Sequence, residues 1–131
     1  MLFLKIYADK EVEAEIIDAR SIVPFNYEKV VESVKKTGKI ILASDACARG
    51  SILNDFARNI SELCFDYLDA PAVVCGAQNW ITPPYEFDAE FFPQADWIID
   101  NINDKIMKLK GHVSKQNTSN AEMLRTAKKG V

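Results

Sequence analysis

Three short apolar runs, residues 14–17, 39–43 and 72–75, alternate with stretches whose apolar positions recur at helical spacing. The runs have the length of buried strands. After the first run, Pro24 cannot continue a central strand and pushes Val23 toward an extended conformation. Asn26 then offers a side-chain oxygen to the free amides of a first helical turn. Val30, Val31 and Val34 form one stripe, while Glu28, Lys29, Glu32, Lys35 and Lys36 face the other way. Lys35 and Lys36 suit the negative end of that helix, and Gly38 stands where a left-handed residue closes it. Two strands joined by a helix predict a right-handed parallel crossover and an α/β fold. A longer amphipathic stretch covers residues 52–68, with Leu53, Phe56, Ile60, Leu63, Cys64 and Tyr67 as its predicted core side. The last spans 96–109, with Trp97, Ile98, Ile102 and Ile106 buried and Gly111 ending it.

Composition narrows the class. At 131 residues the chain makes one domain with a proper core. A net charge of −3, with acids and bases interspersed, gives no footprint for nucleic acid or a membrane surface. No apolar run approaches the roughly 20 residues that span a bilayer, and the N-terminus shows no cleavage signature. Cys47, Cys64 and Cys75 form no CxxC pair and read as reduced thiols of a cytoplasmic protein, with Cys64 and Cys75 in the core. One histidine and scattered cysteines lack metal-ligand spacing. His112 reads as a surface residue.

Two segments follow strand ends, where open α/β sheets place ligands. Residues 44–51 read as a loop with Asp45 or Ser51 capping the next helix, or with Asp45 and Arg49 meeting a partner. Residues 76–93 read as one long loop carrying Trp80, Tyr85, Phe87, Phe91 and Phe92. That many aromatics must pack on the sheet end or at a subunit interface, the latter for Trp80 and Tyr85.

The run Ile17-Asp18-Ala19-Arg20-Ser21-Ile22-Val23-Pro24, followed by Ser33-Val34-Lys35-Lys36-Thr37-Gly38-Lys39, resembles the transketolase C-terminal domain. It is most similar to that domain in beta subunits of thiamine-diphosphate-dependent 2-oxo acid dehydrogenases of the pyruvate, branched-chain and acetoin types. Cys64-Phe65-Asp66-Tyr67-Leu68-Asp69-Ala70-Pro71, Val74-Cys75-Gly76 and Phe91-Phe92-Pro93 extend the likeness over roughly residues 10–107. The resemblance implies a three-layer α/β/α domain with a mostly parallel sheet over 1–111, lacking the family's amino-terminal strand, and a tail over 112–131 with a short helix from Ala121 to Lys128. Residues 1–8 resemble the end of a helix, though they read equally as a strand. A divided gene, a shortened chain or repair by dimerisation would each account for the missing strand.

The family departures are informative. Ser44-Asp45 and the single Gly50 replace a His-Glu and glycine pair, and Gln78-Asn79-Trp80-Ile81-Thr82-Pro83-Pro84 lacks the family's aspartate. The tail resembles an extension in one branch of relatives and docks on a neighbouring subunit or is disordered. By resemblance Asp69 is a candidate contact to the acyltransferase's subunit-binding domain, through charge-assisted hydrogen bonds; an exposed turn aspartate with no task is the alternative.

The complex so implied uses thiamine diphosphate and magnesium, an alpha subunit, a second beta subunit and a lipoyl acyltransferase. None of the cofactor motifs is in this sequence, nor is a nucleophile–base–acid set. The resemblance therefore implies a non-catalytic domain that dimerises when isolated, in a protein carrying out oxidative decarboxylation of 2-oxo acids. The alternative is a free-standing module binding a small anion through Asp45, Arg49, Gln78 and Asn79. The first reading predicts an exposed apolar patch around Trp80, Tyr85 and the amino-terminal segment; the second predicts a closed pocket with converging polar groups.

Overall fold

The computed structural model describes residues 12–129, so the expectations for residues 1–8 lie outside it. Helix α1 spans Tyr27–Thr37. Its start is fixed as the sequence implies: Asn26 Oδ1 accepts from the Glu28 amide at 3.1 Å. Val30 and Val34 are buried, and Gly38 ends the helix at φ 66°. Gly38 is also pressed against the next turn, where the Asp69 amide donates to its carbonyl at 2.8 Å. A Cβ on Gly38 would come within 2.3 Å of Asp69 Oδ2.

Strand β1 (Ile41–Cys47), helix α2 (Ile52–Leu63) and strand β2 (Val73–Ala77) form the parallel crossover. Ile41, Leu42 and Ala43 align with Val73, Val74 and Cys75. The register then shifts before Cys47 meets Ala77. Such an irregularity bends the strand. Gly76 sits inside the bend, where a Cβ would lie 2.5 Å from the Ala46 carbonyl oxygen and 2.7 Å from the Ala48 nitrogen. Glycine is required here for space.

Alternation along β1 sends its side chains to two cores, as a pleated strand must. Leu42 packs with Val30, Val34, Phe56 and Ile60 on the α1–α2 side. Ile41 packs with Cys75, Trp97, Ile98 and Ile102 on the other. The result is a three-layer α/β/α arrangement, with two strands in the sheet among the described residues.

The expected strand at 14–17 does not form: this stretch has no ladder partner among the described residues, and Ile16 and Ile17 are 40% and 43% exposed. A cavity of about 300 Å³ lies between it and β1. The expected helix over 52–68 also breaks. It closes at Cys64 and a 3-10 turn follows over Phe65–Tyr67. Leu63 and Tyr67, expected in the core, are exposed; Tyr67 lies beneath the Lys35 ammonium, 5.0 Å from its ring centre. Leu53, Phe56, Ile60 and Cys64 are buried as the spacing implies.

The stretch read as one loop from 76 to 93 is shorter. Gly76 and Ala77 belong to β2, a 3-10 turn covers Tyr85–Phe87, and the single turn α3 covers Asp88–Phe91. Helix α4 runs over Ala95–Asn101 and passes into a π-turn at Ile102–Ile106. The helix expected to 109 therefore ends early. Asn103 takes over: its Oδ1 accepts from the Leu109 amide at 2.9 Å, in competition with helical pairing. Helix α5 spans Asn120–Lys129.

Gly76→Ala is expected to destabilise the chain by about 3 kcal/mol or more, because a backbone must move. Gly50→Ala, with open space around a φ of 73°, is expected to cost about 1 kcal/mol. Urea unfolding midpoints of the two variants check the order.

Candidate functional site at the strand ends

The residues singled out from sequence fall at opposite ends of the sheet. Asp45 lies within β1, exposed, rather than in a loop after it. Arg49 follows in the exposed turn before α2. Of the two expected caps, Asp45 stands in β1 and Ser51 occupies the N-cap position, but its hydroxyl makes no hydrogen bond among the described residues, and Asn54 Nδ2 donates to the Ala48 carbonyl at 3.0 Å. Beyond β2, the Gln78 amide donates to the Phe91 carbonyl at 3.0 Å, tying the loop down beside the buried Phe91 ring. Trp80 rests on that ring at 6.2 Å between centres and is still 52% exposed. Ile81 and Tyr85 stand further out, at 95% and 79%, and Phe87 is exposed to a similar degree at 47%. Asp45, Arg49, Gln78 and Asn79 line neither the cavity beside β1 nor the one beside Asp104 and Ser114, so these give the small-anion reading no support. The strand ends instead present an apolar, aromatic surface.

Asp69 sits before β2, at the other end of the strands. With 5 residues in β2, this puts it on the order of 15 Å from the aromatic surface. Its Oδ2 pairs with Lys39 Nζ at 3.2 Å while its amide holds the Gly38 carbonyl. An exposed pair of this kind contributes at most about 1 kcal/mol, so the carboxylate stays available to a second cation.

Thiol chemistry is weak. Burial pushes the Cys75 thiol up to about 11 and raises Cys64 as well. Both stay protonated near neutrality and serve as core. Among the described residues, no three His, Cys, Asp or Glu side chains gather to hold a metal ion.

Residues 3–98 match the family described as Transketolase, C-terminal domain. The chain belongs to that family. A pyruvate dehydrogenase E1 component subunit beta from Rhizobium meliloti (strain 1021) is 34% identical over 93 residues, which are 70% of this chain and 20% of that protein. A mitochondrial 2-oxoisovalerate dehydrogenase subunit beta from Dictyostelium discoideum is 39% identical over 84 residues, 63% of this chain and 22% of that protein. A pyruvate dehydrogenase E1 component subunit beta from Leifsonia xyli is 29% identical over 99 residues, 76% and 29% of the two chains. This transketolase C-terminal domain thus spans between a fifth and a third of these relatives. No helix among the described residues is long and apolar enough to cross a membrane.

The match ends at residue 98, and just beyond it lies a polar cluster that the sequence reading missed. Asp100 is 1% exposed. Its carboxylate accepts from the amides of Lys115 and Gln116 at 3.0 and 2.9 Å and faces His112 Nε2 at 2.7 Å. His112 is therefore not the surface residue expected of it; it is paired and largely covered. One turn on, Asp104 accepts from the Ser114 and Thr118 hydroxyls at 2.7 and 3.0 Å. Asn103 Nδ2 donates to the Ser114 oxygen at 3.0 Å. Residues 112–118 are thereby strapped across α4 and its π-turn in the same chain, not onto a neighbouring subunit. Aspartates at 100 and 104, one turn apart on a helix face, with Ser, Thr and His ahead, were the available signal.

Burial alone would raise the Asp104 carboxyl, but bonds from Ser114, Thr118 and Asn103 hold it below the ordinary value. A carboxyl lowered on folding adds stability above its unfolded pKa and loses it as pH falls through the folded one. Stability measured from about pH 6 down to about pH 3 should fall, and Ser114→Ala with Thr118→Val should flatten that fall. Asp100→Ala is expected to cost about 2–4 kcal/mol and to open residues 112–119 to limited proteolysis.

Proposed function

We propose that this chain is the C-terminal domain of a beta subunit of a 2-oxo acid dehydrogenase, acting in assembly and docking and inactive by itself. The observation that carries the reading is the aromatic surface of Trp80, Ile81, Tyr85 and Phe87 at the strand ends. Side chains of that size, held outward on a tied-down loop, suit burial against another protein. The names of the relatives support the enzyme class. The reaction is oxidative decarboxylation of a 2-oxo acid with acyl transfer to a lipoyl group.

In this reading a second beta subunit covers Trp80 and Tyr85, and an alpha subunit completes the cofactor site. Asp45 and Arg49, both exposed, lie at the rim of the same end of the sheet. Asp69 faces the acyltransferase, offering its carboxylate to a basic surface. The tail from residue 112 is an extension added to the domain. The protein works in the cytoplasm, where Cys47, Cys64 and Cys75 stay reduced thiols. Thiamine diphosphate, with magnesium, would act as electron sink for the decarboxylated carbon. The described residues offer no acidic ligand set for that metal, so no chemical step is assigned to this chain.

Sedimentation equilibrium of the chain at low and high micromolar concentration is expected to give a dimer. Trp80→Ser with Tyr85→Ser should weaken it by about tenfold or more, and both positions are exposed enough for the fold to survive. A clean monomer at high concentration would overturn the interface assignment. Asp69→Ala should weaken binding to the acyltransferase and leave the dimer unchanged.

A further inference from the structure

The aromatic surface carries charge of both signs. After β2 the chain alternates aromatic and acid, Tyr85-Glu86-Phe87-Asp88-Ala89-Glu90, and all six residues are exposed. No Lys or Arg occurs between Arg58 and Lys105, so β2 and the loop beyond it bring no cation to this acidic ridge. Lys115 comes to the start of α4 from the tail, but its ammonium lies 3.6 Å from Asp96. From the end of β1 comes Arg49, exposed in the turn before α2. Among the described residues, Arg49, Glu86, Asp88 and Glu90 form no ion pair.

We propose that Arg49 pairs with this ridge across a two-fold contact, the guanidinium of each copy meeting the carboxylates of the other. The inference rests on the beta-subunit reading, in which a second copy covers Trp80 and Tyr85, and adds what fixes how the two copies are turned. The two signs of charge stand on segments that leave different strands. In a two-fold contact residue i meets j while j meets i. An axis running between the two segments therefore sets each Arg49 against the opposite ridge, and two pairings form at once. Turned the other way, ridge faces ridge, and the three carboxylates of each copy meet with no cation between them. Like charges held together in an interface are strongly penalised. The aromatics supply burial in either arrangement and do not choose between them; the charges do. Tyr85 and Phe87, set between the acids, also suit arginine, whose planar cation stacks on rings and pairs with carboxylates in the same site.

The test compares the full chain with Arg49→Glu and with Glu86→Lys plus Glu90→Lys, by sedimentation equilibrium. Each variant alone opposes like charges and should dimerise about tenfold or more weakly than wild type. Mixed in equal amounts, with one of them fluorescently labelled, the two should form a heterodimer near wild-type strength, because every reversed charge then meets its opposite. About 1 M salt, where the screening length is about 3 Å, should close most of the gap between wild type and Arg49→Glu. At low concentration both variants should unfold at the wild-type midpoint, since the positions are exposed. A lower midpoint for Arg49→Glu, restored when all three changes are combined in one chain, would place the pairing within a single copy and overturn the proposal. So would an Arg49→Glu chain that dimerises as tightly as wild type, or a mixture without heterodimer; the ridge would then be left to a basic segment of another polypeptide. Those failures leave the beta-subunit reading in place as long as Trp80→Ser with Tyr85→Ser weakens the dimer. A wild-type chain that stays monomeric at high micromolar concentration removes both.

Discussion

Where Gly76 lies against the carbonyl of Ala46 and the amide of Ala48, two parallel strands approach more closely than any side chain would permit. The Ala48 amide donates to the Ala77 carbonyl at 2.9 Å across this point, so the pairing continues past the bend. Both cores depend on it. The bend lets a strand with a polar second half, Ser44-Asp45-Ala46, stay in the sheet while its first half feeds Ile41 and Leu42 to opposite helical layers. Widening this contact would shift α2 against β2 and loosen Phe56 and Ile60 together.

Polar chemistry is placed away from the sheet's interior. One anchor, Gly38 with Asp69 and Lys39, ties the turns at the start of the strands. Another, Asp100 with His112 and two tail amides, closes the far helix. The strand ends, where open α/β sheets often bind ligands, carry aromatics instead. At the strand ends Asp45, Arg49, Gln78 and Asn79 form no shared pocket among the described residues, whereas an aromatic surface can share an interface. The side chains at the strand ends therefore suit contact with other proteins.

Much of this was legible because local rules and packing agree in α1: Asn26, the valine stripe and Gly38 each ask for the helix that forms. The α2 stripe was legible as far as Cys64, where the backbone leaves helical geometry and Tyr67 turns out to meet Lys35. Residues 14–17 have strand composition, but a strand is a property of two backbones, and periodicity does not show whether the second is present. The early end of α4 escaped for a related reason. Asn103 is an unremarkable helix residue until its carbonyl oxygen finds the amide of Leu109, a choice made by the fold beyond residue 106. Of the candidate site, the exposure of Trp80 and Tyr85 was foreseeable from their number. That Asp69 and Asp45 sit at opposite ends follows from strand direction.

The strap over α4 also bears on the order in which the domain can be completed during synthesis. Asp100 is buried, and two of its partners are main-chain amides of residues 115 and 116. Until those residues leave the ribosome, its carboxylate has to keep its water, and the end of α4 cannot close over it. The sheet and the first core need only the chain up to β2. The nascent domain therefore matures from its amino-terminal half, and α4 is sealed only when residues 115 and 116 have been made.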